Sequence, residues 1–313
     1  MGSIFHPTPR RGGVRLAALA AAAVAVAGLG LAVVVGHPSK PGTSEARVNV
    51  VAGENFWGSL TEQIGGDHVR VTSILSDPAA DPHLYESDAK TAAAVSRADL
   101  VISNGLGYDD FLTKLVAASP NKHRDELSVE KTLHIRGDNP NPHLWYDIPR
   151  VSTVADAIAR ALVVRDPAHA SVYRANLDRF DQSLKPLLAM LAAIRAKHAG
   201  APVAYTERVP GYLLADAGLT VKTPPGFAQA IEDGNEPSPG DVATLTDLIT
   251  NHDIKLLLYN SQATSSVTQH IQTLAKQAGT PVVAVTETVP PSEKTYQSWQ
   301  LDQLRAIQTA LGN

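Results

Sequence analysis

Apolar runs with strand character alternate with stretches of helical spacing through most of the chain. Val48–Ala52 is a short β-rich run, and after it Phe56, Trp57, Leu60 and Ile64 fall on one helical face that Gly65-Gly66 ends. Val69–Leu75 and Leu100–Ser103 read as further strands, with an Ala-rich helix from Asp88 to Arg97 between them, capped by Ser87 or Asp88. Phe111, Leu112, Leu115 and Val116 predict the next helix, and Ser119–Arg136 holds a short strand at most. A long helical region follows. Val151–Val164 has helical periodicity, and beyond Asp166-Pro167 the residues Leu177, Phe180, Leu184, Leu187, Leu191 and Ile194 form a single apolar stripe running to about His198. Pro186 lies inside that stripe and predicts a kink or weak point.

The second half repeats the alternation. Pro202–Thr206, Leu219–Lys222, Lys255–Tyr259 and Val282–Thr286 read as strands, and helices are expected through Val242–Ile249, Thr264–Ala278 and Lys294–Leu311. Strands alternating with helices imply parallel sheets covered by helices. The expected fold is α/β: an N-terminal lobe over residues 47–150 and a C-terminal lobe over 199–313, each a parallel sheet flanked by helices, joined through a helical linker, 151–198, that includes one long backbone helix.

The amino terminus differs in kind. Arg10, Arg11 and Arg15 precede an unbroken apolar run from Leu16 to Val35. The reading is a basic cytoplasmic N-terminus at 1–15, an apolar signal or anchor segment at 16–36 and a Pro/Gly/Ser tether at 37–46. It puts the body of the protein outside the cytoplasm, anchored to the membrane through the N-terminal segment or secreted.

Composition narrows the chemistry. With 313 residues, 44% apolar content and a formal charge of −4, the chain is an ordinary globular protein with no basic patch suited to nucleic acid. It has no cysteine, so disulfides, thiolate metal sites and a lipid-bearing N-terminal Cys are excluded. Two histidines stand directly after a proline in loops rich in Asp and Asn: His83 in Asp81-Pro82-His83 and His143 in Asn141-Pro142-His143. Proline restricts both itself and the residue before it, which lowers the entropy lost when the loop holds a ligand. Glu207 and Glu287 each follow a predicted strand at once. Ligands of open parallel sheets bind beyond the carboxyl ends of the strands. Two lobes facing each other would therefore bring His83 and His143 together with Glu207 and Glu287. This set suits one divalent metal ion and would make the ion the tie between the lobes.

Other residues read as structural. Trp145 and Tyr146 are expected to pack the second histidine loop down. Asp77, Asp81 and Asp147 suit turns, although Asp147 could also hydrogen-bond a ligand histidine. His68, His134, His169, His198, His252 and His270 show no partner spacing and read as surface residues. The His₂Glu₂ set leaves the ion open between zinc and manganese: carboxylates suit Mn²⁺, whereas most nitrogen and oxygen sites bind Zn²⁺ more tightly. A secreted metal-dependent hydrolase with Glu207 or Glu287 as general base is the alternative. It lacks a His-Glu-x-x-His or Gly-x-Ser-x-Gly pattern.

From about residue 46 to 312 the chain resembles the metal-binding solute-binding proteins of ABC importers, the cluster that takes up zinc and manganese. Asp81-Pro82-His83-Leu84-Tyr85-Glu86 and Asn141-Pro142-His143-Leu144-Trp145-Tyr146-Asp147 resemble its first two ligand loops. Thr206-Glu207 with Gly211-Tyr212 resembles the segment of the third ligand, and Glu236-Pro237-Ser238-Pro239 a segment that begins a helix. Glu287 stands nearest the position of the fourth ligand, where the family usually has Asp. The lipid-bearing Cys and His-rich loop of many relatives are missing. The resemblance implies two lobes on a rigid backbone helix, no enzymatic activity, a metal ion carried as cargo to an ABC permease, and a monomer.

Overall fold

The computed structural model describes residues 47–78 and 85–312. Residues 1–46, with the basic, apolar and tether segments, lie outside the described residues, as do Asp81 and His83. No helix among the described residues is long and apolar enough to cross a membrane.

The first lobe contains β1 (Val48–Glu54), α1 (Asn55–Gly65), β2 (Val69–Leu75), α2 (Ala89–Ser96), β3 (Leu100–Ser103), α3 (Asp110–Ala118), β4 (Asp125–Ser128) and α4 (Val129–Thr132). Asp88 caps α2 by accepting the Thr91 amide. The linker is α5 (Ile148–Arg165), a 3-10 turn (Pro167–His169) and α6 (Ala170–His198). Pro186 is inside α6, which runs through it as one element. The second lobe holds β5 (Pro202–Tyr205), α7 (Gly211–Asp216), β6 (Thr220–Val221), α8 (Pro225–Glu232), α9 (Pro239–Thr250), β7 (Leu257–Asn260), α10 (Ser266–Gln277), β8 (Val282–Val285) and α11 (Tyr296–Leu311). The short helices α7 and α8 carry too few periodic apolar positions to stand out in the sequence.

Among the described residues the strands form two four-stranded parallel sheets, in the orders β2-β1-β3-β4 and β6-β5-β7-β8. The orders are the same when each lobe's strands are counted from one. In both sheets the strand order switches sides between β1 and β3 and between β5 and β7, which opens a crevice beyond those strand ends.

Alternate strand residues enter different cores. Val51 and Val101 face a cluster under α2 and α3, whereas Val50, Ala52, Leu100 and Ile102 face inward. In the second lobe Leu257 joins Phe227, Leu245, Ile249 and Ile271 on the outer face, and Leu256 and Leu258 point inward. The inward sides share one core. It runs from β1 through α1, α5 and α6 to β7, β8 and α11, and the apolar stripe Phe180, Leu184, Leu187, Leu191 and Ile194 lies in it. The last helix, α11, packs on α6 and on α1 of the first lobe.

This corrects the expectation that a metal ion ties the lobes together. Within the first lobe Phe56 stacks on Trp145 at 4.0 Å between ring centroids, and across the lobes it stacks on Trp299 of α11 at 6.5 Å. Asn55, at the start of α1, clasps Val289 at both ends of its amide, each bond 2.9 Å. The Tyr296 hydroxyl donates to the Trp145 carbonyl at 2.6 Å, and that of Tyr146 to the Thr286 carbonyl at 2.7 Å. Burial of this shared apolar surface joins the lobes without cargo. Leu187→Ala is expected to cost about 2–5 kcal/mol. In calorimetry the chelator-treated protein should still unfold in one transition; two separate transitions would show independent lobes.

Candidate metal centre

Four strand ends and one loop build the site. β5 ends at Tyr205, and Thr206-Glu207 follows at once. β7 ends at Asn260, and Glu287 stands just past β8. From the first lobe comes the loop of Asn141-Pro142-His143, which enters a 3-10 turn (Leu144–Tyr146) and then α5. Trp145 and Tyr146 are fully buried in the turn and fasten it, as the sequence suggests. The side chain of Asn104, just past β3, holds the loop from beneath by donating to the Pro142 carbonyl at 2.9 Å.

His143, Glu207 and Glu287 converge, with side chains withdrawn from solvent. His143 Nε2 lies 3.8 Å from Glu207 Oε1 and 3.6 Å from Glu287 Oε2. The orientation of the imidazole follows from its neighbour. Asn141 Nδ2 donates to the Arg208 carbonyl at 2.8 Å, so its Oδ1 faces His143 Nδ1, 2.6 Å away. An amide oxygen can only accept. In the neutral ring the proton is therefore on Nδ1, and Nε2 turns its lone pair toward the carboxylates. Three electron-rich atoms facing one point in a buried space repel one another unless a cation sits among them. Ligand atoms about 2.1 Å from a common ion stand roughly 3.4 Å apart in a tetrahedron. The observed spans are close to that.

Neutral amides orient the carboxylates. Asn260 Oδ1 accepts the Gln262 amide at 3.0 Å, which turns Nδ2 toward the acids. Nδ2 then donates to Glu207 Oε2 at 2.5 Å and to Glu287 Oε1 at 2.7 Å. Gln262 Oε1 accepts the backbone N–H groups of Glu287 and Thr288 at 2.6 and 3.0 Å, fixing the turn that presents Glu287. The Tyr108 hydroxyl donates to Glu287 Oε2 at 2.8 Å. Burial, then the charges of Glu287 and Glu54, raise the Tyr108 pKa well above its ordinary value, so the phenol remains a donor. Gly211 is required by a close approach: a β-carbon there would lie 2.7 Å from Asn141 Nδ2. The Tyr212 hydroxyl beside it donates to the Asn141 carbonyl at 2.9 Å.

Of the four residues named from the sequence, the structure brings His143, Glu207 and Glu287 together; His83 lies outside the described residues. Asp147 does not orient the histidine. It pairs with Arg150 at 3.3 Å, and Asn141, two residues before His143, makes that contact instead. Asn260, Gln262 and Tyr108 were not singled out by sequence reasoning. The one signal for Asn260 is its place at the end of a buried strand.

The chain matches the family described as zinc-uptake complex component A, periplasmic, over residues 50–310. It belongs to that family. Among its relatives, the manganese ABC transporter substrate-binding lipoprotein of Streptococcus gordonii is 24% identical over 283 residues, spanning 85% of this chain and 88% of the relative. The manganese-binding lipoprotein of Bacillus subtilis is 26% identical over 254 residues, with 78% and 81% covered. The fold is that of the periplasmic zinc-binding protein of Treponema pallidum, with a TM-score of 0.70 at 20% identity over 86% of this chain and 100% of that one. It is shared with a binding protein of Pseudomonas aeruginosa solved with Mn²⁺, with a TM-score of 0.69 at 24% identity and 85% and 98% covered. The family consists of extracytoplasmic substrate-binding components of metal ABC importers. It is not a family of enzymes, and the hydrolase reading falls away.

Membership leaves one acid in this binding protein unexplained. Glu54 ends β1, fully buried, and neither of its oxygens has a hydrogen-bond partner among the described residues. Burial, and secondarily Asp109, raise its pKa well above the ordinary 4.5. Asp109 is itself raised to about 6 by burial, although it accepts the Asn104 and Gly105 amides at 2.7 and 2.9 Å. An acid with a raised folded pKa holds its proton more tightly in the native state. Its contribution to stability is complete below the unfolded value and is lost as pH rises through the folded one. Metal-stripped Glu54→Gln should therefore gain stability relative to the unsubstituted protein between pH 4 and 8. Parallel denaturation series giving a constant difference would show that Glu54 does not titrate in this way.

Proposed function

We propose that this binding protein captures one divalent transition-metal ion, Zn²⁺ or Mn²⁺, through His143, Glu207 and Glu287. His83 supplies a fourth ligand from its Pro-His loop, and the ion is handed to the permease of an ABC importer. The observation that carries this reading is the convergence of the His143 Nε2 lone pair on two buried carboxylates, with Asn141 and Asn260 fixing all three groups. The relatives support both metals, since manganese recurs among the lipoproteins and the family is one of zinc uptake. Two carboxylates against one imidazole form a hard donor set that suits Mn²⁺, and a second imidazole from His83 brings Zn²⁺ within its range. The ion is cargo, so a closed protein ligand set serves it better than the open position an enzyme needs.

On this reading the lobes at 47–150 and 199–313 form the two sides of the site, with the 151–198 linker behind them. The protein works as a monomer held at the membrane by residues 16–36. The shared core keeps lobe motion small, so the permease, rather than a free hinge, opens the path for release.

Chelator-treated protein given Zn²⁺ or Mn²⁺ at a hundred times its Kd should gain about 2.7 kcal/mol of stability, read as a rise in Tm. His143→Ala should abolish that rise with its circular dichroism spectrum unchanged; full retention of the rise would defeat the assignment. Asn260→Ala should lower affinity about 10–100-fold by releasing both carboxylates. Acid should weaken capture as the carboxylates and imidazoles take up protons, which competition titrations at pH 5 and 7 would measure.

A further inference from the structure

Glu207 is followed at once by an arginine, on the turn after β5. A cation so close to two buried carboxylates could pair with them, yet the Arg208 guanidinium is engaged elsewhere. Its Nε donates to Glu232 Oε2 at 2.7 Å and its Nη2 to Glu232 Oε1 at 2.6 Å, a two-pronged bond to the last residue of α8. The side chains of Arg208 and Glu232 are 17% and 8% exposed, so the pair is largely withdrawn from water. A fork of this kind holds the arginine in one orientation and neutralises its charge.

The same residue grips the cargo loop of the first lobe at two places. Residues 133–143 contain no helix or strand, so the loop that carries His143 must be held from outside. Arg208 Nη1 donates to the Asn139 carbonyl at 3.3 Å, and Nη2 to Asn139 Oδ1 at 3.4 Å. Asn139 Nδ2 in turn donates to Gln229 Oε1 of α8 at 2.8 Å. At the backbone, the Arg208 carbonyl accepts Asn141 Nδ2 at 2.8 Å, which leaves Asn141 Oδ1 facing His143 Nδ1. One residue of the second lobe thus holds both Asn139 and Asn141, and the second hold decides which imidazole nitrogen carries the proton.

We propose that Arg208 is a positioning residue for cargo capture. Fixed by Glu232, it keeps its carbonyl against the Asn141 amide, and through Asn141 it keeps the His143 Nε2 lone pair directed at the ion. This inference rests on the reading of His143 as a ligand. With the fork broken, the Arg208 turn is released and the Asn141 amide can rotate by half a turn. Its Nδ2 would then meet His143 Nδ1 and favour the proton on Nε2, where it blocks a metal. Lysine cannot substitute, because one ammonium does not reproduce the side-on fork to a carboxylate together with the contacts to Asn139. Glu232 also neutralises the cation beside Glu207, which leaves the attraction of the two acids to the incoming ion.

The test combines calorimetric titration with Zn²⁺ and nitrogen-15 resonance of His143 in the metal-stripped full chain. The unsubstituted protein should carry the His143 proton on Nδ1. Arg208→Lys should raise the Kd for Zn²⁺ about tenfold, at the lower end of the effect of groups that orient a metal ligand, and shift His143 toward the Nε2-protonated form. In an Asn141→Ala background the same substitution should change Kd by less than about twofold, because the route through Asn141 is already cut. Should Arg208→Lys fail to fold, Glu232→Gln carries the same comparison. An unchanged tautomer, or losses that add in full to that of Asn141→Ala, would overturn the proposal. Zn²⁺ binding retained by His143→Ala would defeat the cargo assignment, whereas binding lost in His143→Ala but unmoved in Arg208→Lys and Glu232→Gln would defeat this inference alone.

Discussion

Two carboxylates and an imidazole lone pair, directed at one buried point, set the terms for the rest of the molecule. Placing Glu207 and Glu287 together away from water is costly, and Asn260 offsets part of that cost by donating to both. Because Asn260 is neutral, it orients the acids without cancelling their attraction for a cation. Tyr108 and Gln262 act in the same way on Glu287, and Asn141 on His143. Every charge of the described ligand set stays on the ligands. The frame around them is built of amides, a hydroxyl and aromatic rings.

That frame needs rigidity, and the shared core provides it. Glu287 lies on a connection whose flanks are held by Asn55 and Tyr146 of the first part of the chain. His143 lies on a loop held by Asn104 beneath it and by Tyr212 from the second lobe. His143 and Glu287 are thus each anchored partly by the opposite lobe. A shift of one lobe against the other would break the amide clasp as well as the ligand geometry, and such interlocked packing resists graded deformation.

Much of this was legible in the sequence because its signals are local. Apolar alternation marks most of the strands, the stripe from Phe180 to Ile194 marks the backbone helix, and the second Pro-His loop and the acids just past strands mark the three side chains that converge. What escaped depends on contacts between residues distant in the chain. Asn260 has no pattern that distinguishes it from any polar residue closing a strand, and it acquires its role only because β5 and β8 flank β7. Asn141 and Asp147 lie on either side of the 3-10 turn after Pro142, and the direction of that turn decides which of them meets the imidazole. The stacking of the His68 ring on that of His169 arises from the packing of α1 against α5 and α6, which no short window of sequence contains. The continuous core was hidden for the same reason: α11 reads as the end of the second lobe yet packs on the first.

The stack of Phe56 on Trp145 has a consequence beyond fastening a loop. The indole of Trp145 meets the His143 imidazole nearly edge-on at 5.2 Å, and the Tyr108 ring lies 4.9 Å from it. On the proposed assignment, cargo at His143 would change the charge and electronic character of a ring in direct contact with a buried chromophore. The emission of Trp145 would then serve as an internal gauge of occupancy, and loading and unloading would be followed in real time by ultraviolet fluorescence with no label attached.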